Sequence, residues 1–144
     1  MVSGGLTTRY RNNTLMKVKV KTKKKKLKSL KLLRKKAWKV FSEWIRKRDK
    51  GVCISCGKRG NWRTMNAGHF IHKNSMDFSE WNVNCQCVAC NKYKHGNLGV
   101  YAYNLTQKYG LGIIESLIEK GKEVKKYSRE EIEDIILKYG GANP

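Results

Sequence analysis

The chain has 144 residues, enough for one small domain with an extension and too few for two separate hydrophobic cores. Its 32 lysines and arginines outnumber 11 acidic residues, which gives a formal charge of +21. A field of this sign attracts polyanions and favours salt-sensitive binding to nucleic acid backbones. No run is apolar enough to span a bilayer and no signal peptide pattern is present, so we expect a cytoplasmic protein without membrane partners.

The N-terminal third is strongly basic. Residues 1–26 are predicted to form a flexible arm, because they contain the lysine run 23–26 and few large apolar side chains. Over residues 27–50, apolar side chains recur at three- and four-residue steps, which predicts a basic amphipathic helix that ends before Gly51. Its apolar stripe comprises Leu30, Leu33, Ala37, Phe41, Trp44 and Ile45.

The rest of the chain divides into two regions. Residues 51–99 combine short strand-like pieces and turns, with a helix predicted to open at Asn91. Residues 100–144 are predicted to be helical, with breaks at Gly110 and Gly112 and a capping box from Ser128 to Glu131. The buried stripe of the last helix comprises Ile132, Ile135, Ile136 and Tyr139. The predicted fold class is α+β.

Four of the five cysteines form two Cys-x-x-Cys pairs, Cys53 with Cys56 and Cys87 with Cys90. Outside a secretory context this pattern indicates metal ligation rather than disulfides. Four thiolates close a zinc tetrahedron, so the sequence predicts a structural Zn²⁺ that has no open position for catalysis. A redox role is disfavoured because two pairs are present and no βαβ pattern surrounds them. We expect Cys85 to be a small buried residue.

Three polar residues lie around the cysteine pairs at positions where phosphodiester hydrolysis could use them. Such hydrolysis needs a base to deprotonate water and a cation to neutralise charge. His69 suits the first task, and a carboxamide oxygen such as that of Asn91 suits a hard cation. Alternatively, His69 is structural and Asn82 and Asn91 are turn and cap residues. The combined spacing favours a nuclease site.

The stretch from residue 41 to residue 98 resembles the phage NinG/Rap recombination protein family, within the HNH (His-Me finger) endonucleases. The resemblance is carried by Ile45-Arg-Lys-Arg-Asp49, Cys53-Ile-Ser-Cys56-Gly57, Ala67-Gly-His69, Gln86-Cys-Val-Ala-Cys-Asn91 and Lys94-His-Gly-Asn-Leu98. It implies a small zinc-stabilised ββα-metal core between a basic N-terminal helix and C-terminal helices. It also implies a metal-dependent endonuclease in the host cytoplasm, acting on branched DNA such as Holliday junctions and D-loops.

The resemblance also implies roles for single residues. His69 would be the general base at the end of the first strand, Asn82 would bond the backbone of its loop, and Asn91 would ligate Mg²⁺ or Mn²⁺. Many HNH enzymes have a metal-binding Asp immediately before the base, where this chain has Gly68. The second ligand of the catalytic cation is therefore open, and the candidates are His72, Asn66, Asp77 and His95.

Basic side chains near this block are expected to contact DNA phosphates. They are Arg46, Lys47, Arg48, Lys92 and Lys94. The basic excess over residues 17–50 is larger than solubility requires. Trp38, Phe41 and Trp44 could stack on unpaired bases, but their helical rhythm favours packing. A homodimer would suit a two-fold symmetric junction, and the sequence leaves the oligomeric state open.

Two other readings need no catalysis. In the first, the chain is a zinc-dependent nucleic-acid-binding accessory protein, for which Gly68 in place of Asp is the best argument. In the second, the helices of residues 100–144 recruit other recombination proteins and His69 has no chemical role.

Overall fold

The computed structural model describes residues 29–144; the predicted arm over 1–26 and the first two residues of the predicted helix over 27–50 lie outside this range. Two antiparallel strands lie among α-helices, an α+β arrangement. The elements in chain order are α1 (Leu30–Arg48), β1 (Asn66–His69), β2 (Val83–Gln86), α2 (Leu98–Tyr109), α3 (Ile113–Lys122) and α4 (Arg129–Gly140). Among residues 29–144, none of the helices is both long and apolar enough to cross a membrane.

Helix α1 forms on the predicted apolar stripe. The Ser29 hydroxyl caps its first turn by accepting a hydrogen bond from the Leu32 N–H. Its buried side consists of Leu33, Ala37, Phe41, Ser42 and Ile45. The helix ends at Arg48, before Gly51 as predicted, because Lys50 and Gly51 adopt positive φ angles of 52° and 66° that cannot continue it.

The two strands form one antiparallel hairpin whose faces have different neighbours. Gly68 lies opposite Asn84, and His69 lies opposite Val83. Because successive residues of a strand point to opposite faces, His69 and Val83 turn towards α1. The Gly68 face, which includes Asn84 and Gln86, turns towards the segment that leads into α2. The last two residues of β1, Gly68 and His69, therefore point to opposite faces of the hairpin.

Helix α4 packs along α1 and covers its apolar side. Ile132 lies in a cluster with Leu33 and Ala37. Further along, the Tyr139 ring meets the Phe41 ring edge-on, with centroids 4.9 Å apart. This pairing joins the C-terminal end of the chain to the helix that supports His69.

Several predicted boundaries in the C-terminal half are confirmed. The Ser128 hydroxyl accepts from the Glu131 N–H and the Glu131 carboxylate accepts from the Ser128 N–H, which completes the capping box. Gly110 and Gly112 separate α2 from α3 and adopt φ angles of 95° and 88°. Only glycine enters this region at little cost, so the predicted helix breaks lie where expected.

The helix predicted to open at Asn91 is wrong. Asn91 lies in the middle of a five-residue π-helical turn, Ala89–Tyr93, which Lys94 caps. Regular helix begins only at Leu98. The turn closes with the Lys94 N–H, which donates to the Ala89 carbonyl at 3.0 Å.

A buried carboxylate ties α1 to the hairpin and to α2. Asp49 accepts two hydrogen bonds from the Arg48 guanidinium, one from Lys108 and one from the Cys85 backbone N–H. Its side chain is 8% exposed. Burial raises the pKa of Asp49, but the Arg48 and Lys108 cations outweigh it and hold the pKa below its usual value.

We expect Asp49→Asn to lower the free energy of unfolding by about 3 kcal/mol, because Arg48 and Lys108 would be left partly buried without a countercharge. Since the folded pKa of Asp49 is depressed, its contribution is present near neutral pH and is lost as the pH falls through that pKa. Urea unfolding at pH 7 and pH 3 measures both effects. Asp134→Asn, at an exposed carboxylate, is the control. Equal stability of the two variants at pH 7 would contradict this account.

Candidate metal centre and active site

Two tight turns carry the cysteine pairs. In the first, Gly57 has a φ of 71° and its N–H donates to the Cys53 carbonyl, which folds the chain back on itself. The second turn follows directly from β2. There the Asn91 N–H donates to the Cys87 carbonyl, and the Cys90 N–H points at the Cys87 sulfur at 3.4 Å.

The four sulfurs of these turns come together as the spacing predicted. Those of Cys53, Cys56, Cys87 and Cys90 all lie within 4.8 Å of one another. The Cys56 and Cys87 sulfurs are 3.7 Å apart, which rules out a disulfide bond. The edge of a zinc tetrahedron with four thiolates is about 3.8 Å. The cluster can therefore hold a structural metal ion such as zinc, with all four positions taken by sulfur.

Burial and neighbouring groups shift the thiol pKa values within the cluster in opposite directions. Burial raises the pKa of Cys87, yet the Cys90 N–H and the neighbouring thiols more than compensate and lower it to about 7. Burial and the Asp49 carboxylate raise the pKa of Cys85 to about 12. Burial and the neighbouring thiols also raise the pKa of Cys90 to about 12, so membership of the four-sulfur cluster, and not thiol pKa, separates the ligands from Cys85. Cys85 is fully buried beside the cluster, as predicted.

His69 lies at the end of β1 beside helix α1. Its ring stacks on Trp38, with centroids 4.9 Å apart and planes 14° apart. Its Nε2 is 3.5 Å from the Asp77 carboxylate, too loosely aligned for a hydrogen bond, and has no hydrogen-bond partner among the described residues. The ring borders a surface cavity of about 390 Å³. The cavity is lined by Lys31, Arg34, Lys35, Trp38, His69, Asp77 and Phe78.

The protonation state of His69 follows from this environment. Burial lowers the pKa of His69 below its ordinary value of 6.5, Asp77 acts in the opposite direction, and His72 adds to the lowering. The ring is therefore neutral at pH 7 and can accept a proton. Asp77 also accepts a 2.7 Å hydrogen bond from Arg34, which keeps its carboxylate next to the ring.

Asn82 makes the backbone contacts that its predicted role requires. Its Oδ1 accepts from the Ile71 N–H at 2.8 Å, and its Nδ2 donates to the Ile71 carbonyl at 2.9 Å. The same Nδ2 donates to the Met76 carbonyl, and the side chain is fully buried. Asn82 thus fixes the loop that leaves β1 two residues after His69.

Asn91 approaches β1 from the other face of the hairpin. Its Oδ1 would lie 2.9 Å from a Cβ atom at Gly68, the residue before His69. The Gln86 Oε1 would be closer still to the same point. Two carboxamide oxygens therefore converge on Gly68, and such oxygens suit a hard cation.

The four candidates for a second cation ligand lie at different places in the structure. Asp77 contacts His69 on the α1 face, away from the Asn91 oxygen. His72 is exposed, with its ring centroid 5.6 Å from that of His69. His95 is exposed in the turn before α2. Asn66 lies opposite Gln86 on the Gly68 face, and its buried Nδ2 has no hydrogen-bond partner among the described residues.

Two of the five residues predicted to bind DNA have a structural role instead. The Arg46 guanidinium donates to the backbone carbonyls of Trp62 and Met65 and so attaches α1 to the cysteine-rich loop. The Arg48 guanidinium is engaged with Asp49 and donates to the Glu80 carbonyl. Their donors are directed inward, and we therefore exclude them from a DNA-facing surface.

The other three residues predicted to bind DNA are on the surface. Lys47 pairs with Glu43 and lies over the Trp62 ring, 4.8 Å from its centroid. Lys92 and Lys94 are exposed beside the second cysteine pair. Phe41 and Trp44 pack against Tyr139 and Trp38 packs on His69, which confirms packing as their role.

Four residues of this site are not evident from the sequence in the roles that the structure gives them. Trp38 and Lys35 come to His69 through the packing of α1, which no local pattern reports. The sequence suggests Asp77 only as a metal ligand. Gln86 lies within a family motif that implies no role for it, although the alternation of Asn84 and Gln86 with apolar residues indicates a polar face of β2.

Comparison with known proteins relates the chain to one family of phage proteins. A family model described as Bacteriophage Lambda NinG protein matches residues 5–143. Protein ninG of Salmonella phage P22 is 32% identical over 127 residues, covering 84% of this chain and 61% of the relative. Protein ninG of Escherichia phage 933W is 33% identical over 129 residues, covering 85% and 62%. The chain thus spans about three fifths of the length of these curated relatives. No solved structure matches it.

Proposed function

The chain belongs to the bacteriophage NinG family, and from this premise we propose that it is a cation-dependent DNA endonuclease. The observation that carries the proposal is His69, a neutral histidine whose Nε2 has no hydrogen-bond partner among the described residues and which borders a cavity lined by basic side chains. A purely structural histidine normally has its ring nitrogens paired. The preference for branched recombination intermediates follows from the resemblance to NinG/Rap proteins within the HNH endonucleases.

In this proposal the four cysteines bind Zn²⁺ and hold the site together. The apolar cluster around them contains one large side chain, Met65, besides cysteines. So small a core needs a metal to stay folded. The four-sulfur donor set leaves no position for substrate, so hydrolysis depends on other residues.

His69 acts as the general base. The enclosed Nε2 faces the Asp77 carboxylate 3.5 Å away and carries the proton of the neutral ring, so His69 takes the proton of the attacking water at Nδ1. The Asp77 carboxylate then stabilises the imidazolium that forms. Trp38 limits the ring to one orientation by stacking. Asn82 acts as a positioning residue, because it fixes the loop that follows His69.

Asn91 supplies a carboxamide oxygen for a catalytic Mg²⁺ or Mn²⁺. Such a cation, when bound, neutralises charge on the scissile phosphate and on the leaving oxygen. Asn91 is held for this role by its position in the turn that carries Cys90, with its oxygen directed at Gly68. The zinc cluster and the cation site thus share one short segment.

The DNA backbone is proposed to lie across the cavity beside His69. Lys31 and Lys35 line it, are exposed and come from one side of α1. Arg34, which lies between them, pairs with the Asp77 carboxylate, so its charge is partly neutralised and attracts phosphate less. Lys92 and Lys94 extend the basic surface near Asn91.

We expect Lys31→Glu/Lys35→Glu to weaken junction binding and to reduce the slope of log K against log salt by about 2, because each of these lysines would neutralise one phosphate. Lys36→Glu/Lys39→Glu is the matched control, because it makes the same charge change at exposed positions of α1 outside the cavity. Fluorescence anisotropy over a salt series measures both. Equal slopes for the two variants would place the DNA elsewhere.

The proposal is tested with end-labelled four-way junction, flap and linear duplex DNA, with added Mg²⁺ or Mn²⁺ and with neither. Omitting the cation is preferable to adding EDTA, which would also remove structural zinc. Binding is measured in parallel by gel shift. We expect cation-dependent incision, with branched DNA cut faster than duplex.

The rival is a DNA-binding protein without catalysis. It is favoured by Gly68, which supplies no side chain where many HNH enzymes have a metal-binding Asp. The same assay distinguishes the two, because the rival predicts a tight junction complex and no incision with either cation.

A further inference from the structure

The surroundings of Gly68 indicate how the chain binds a cation without an acidic residue at that position. We propose that Gln86, through its Oε1, is the second protein ligand of the cation held by Asn91. The inference rests on the proposed function for the use of the cation, but the binding site itself can be tested without cleavage. It assigns to Gln86 the role for which the sequence offered His72, Asn66, Asp77 and His95.

The orientation of the Gln86 carboxamide is fixed. Its Nε2 donates to the Ser55 hydroxyl at 2.6 Å and to the Gly96 carbonyl at 2.7 Å. The Gly96 carbonyl can only accept, and the Ser55 hydroxyl already donates to that carbonyl at 3.1 Å, so turning the carboxamide over would place an oxygen against an oxygen. The Oε1 must therefore face Gly68.

That oxygen has no partner. Gln86 is fully buried, and its Oε1 has no hydrogen-bond donor among the described residues. Buried carboxamide oxygens are normally paired, and an unpaired one calls for a ligand. The neighbouring group is the Asn91 Oδ1, a second acceptor. Two acceptors directed at one point repel each other. A cation between them removes the repulsion, whereas without a cation the Asn91 carboxamide can turn and donate its Nδ2 to the Gln86 Oε1.

The absence of a side chain at Gly68 leaves the space that the Gln86 carboxamide occupies. A Cβ atom at residue 68 would collide with the Gln86 Oε1 and would lie 2.9 Å from the Asn91 Oδ1. An Asp at residue 68 and a Gln at residue 86 thus compete for the same space. We infer that the oxygen normally supplied by strand β1 comes here from strand β2.

Both proposed ligands are uncharged, and this determines how strongly they bind a cation. Two neutral carboxamide oxygens bind a hard cation less strongly than carboxylates, so water and phosphate oxygens must complete the shell. We therefore expect weak binding of Mn²⁺ to the free protein and tighter binding in the DNA complex. The glutamine would make occupancy of the site dependent on DNA.

The test is a titration of zinc-loaded full-length protein with Mn²⁺, followed by electron paramagnetic resonance. Gln86→Glu adds a charge at the same atom and should tighten Mn²⁺ binding about tenfold. Gln86→Met keeps the volume, removes the oxygen and should weaken binding about tenfold or more. Gln107→Met makes the same change at an exposed glutamine of α2 and is the matched control. It should bind Mn²⁺ like wild type.

A double variant keeps the proposal testable if Gln86→Met folds poorly. Gly68→Asp alone should lose Mn²⁺ binding and stability through the clash with Gln86. Gly68→Asp/Gln86→Ala removes the clash and offers a carboxylate, so binding should return to at least the wild-type level. Unchanged Mn²⁺ affinity in both Gln86→Glu and Gln86→Met, or no recovery in the double variant, would overturn the assignment.

The two proposals fail separately. Mn²⁺ binding that depends on Gln86 in a protein that never cuts DNA would overturn the endonuclease and keep the cation site. Full cation-dependent cleavage by a folded Gln86→Met variant would overturn the role of Gln86 and keep the endonuclease.

Discussion

His69→Ala is expected to lower the single-turnover rate of incision by about 10²- to 10⁴-fold, the range that a positioned general base contributes. Junction affinity and zinc content should stay at wild-type levels, because zinc is assigned to the four cysteines and phosphate binding to Lys31 and Lys35. The cavity left beside Trp38 should lower the melting temperature by only a few degrees. His95→Ala is the matched control, at an exposed histidine of the same region, and should cleave normally.

The pH profile gives an independent test of the same residue. Since burial lowers the pKa of His69 below 6.5, most of the base is deprotonated at neutral pH. The rate should therefore rise as the pH increases through this lowered pKa and be level above 7, unless a second group titrates. The acid limb should vanish in the residual activity of His69→Ala. Cleavage by His69→Ala at the wild-type rate would remove histidine from the mechanism.

Removal of zinc is the second prediction with a large effect. Apparent binding free energies of structural zinc are about 10 kcal/mol or more in small domains, and the cluster around Met65 is too small to replace them. We expect a strong chelator, or Cys87→Ser, to unfold the cysteine-rich segment and abolish incision. Much of the helical circular dichroism should remain, because α1 and α4 have their own apolar contacts.

The control for zinc is the fifth cysteine. Cys85 lies beside the cluster but is not one of its four ligands, so the Cys85→Ala variant should retain one zinc ion per chain. Metal analysis measures the zinc content of both variants, and tryptophan fluorescence, to which Trp62 of the cysteine-rich loop and three other tryptophans contribute, measures their folding. A fully folded, metal-free wild type would contradict the structural role of the cluster.

The features that the sequence predicted correctly are local ones. The cysteine spacing predicts the four-sulfur cluster, because each Cys-x-x-Cys pair closes within one turn. The stripe of α1 and the Ser128 capping box follow from helical periodicity and from a three-residue spacing. The backbone bonds of Asn82 were also expected, from the resemblance to HNH enzymes rather than from a local pattern.

What the sequence could not predict depends on tertiary packing. Arg46 and Arg48 look like phosphate-binding residues in a basic stretch, yet unpaired backbone carbonyls and the buried Asp49 bind them. Asp77 reaches His69 only because the loop after β1 folds back under Asn82. The role of Gln86 becomes visible only when the register of the hairpin brings its side chain to Gly68.

The most direct test of the endonuclease proposal is incision triggered by the cation in a complex already formed. Zinc-loaded protein in excess is bound to labelled four-way junction without Mg²⁺, and Mg²⁺ is then added while product is followed in time. We predict no product before the addition and a single-turnover burst after it. A complex that stays intact and uncut in both Mg²⁺ and Mn²⁺ would contradict the account and leave a DNA-binding protein.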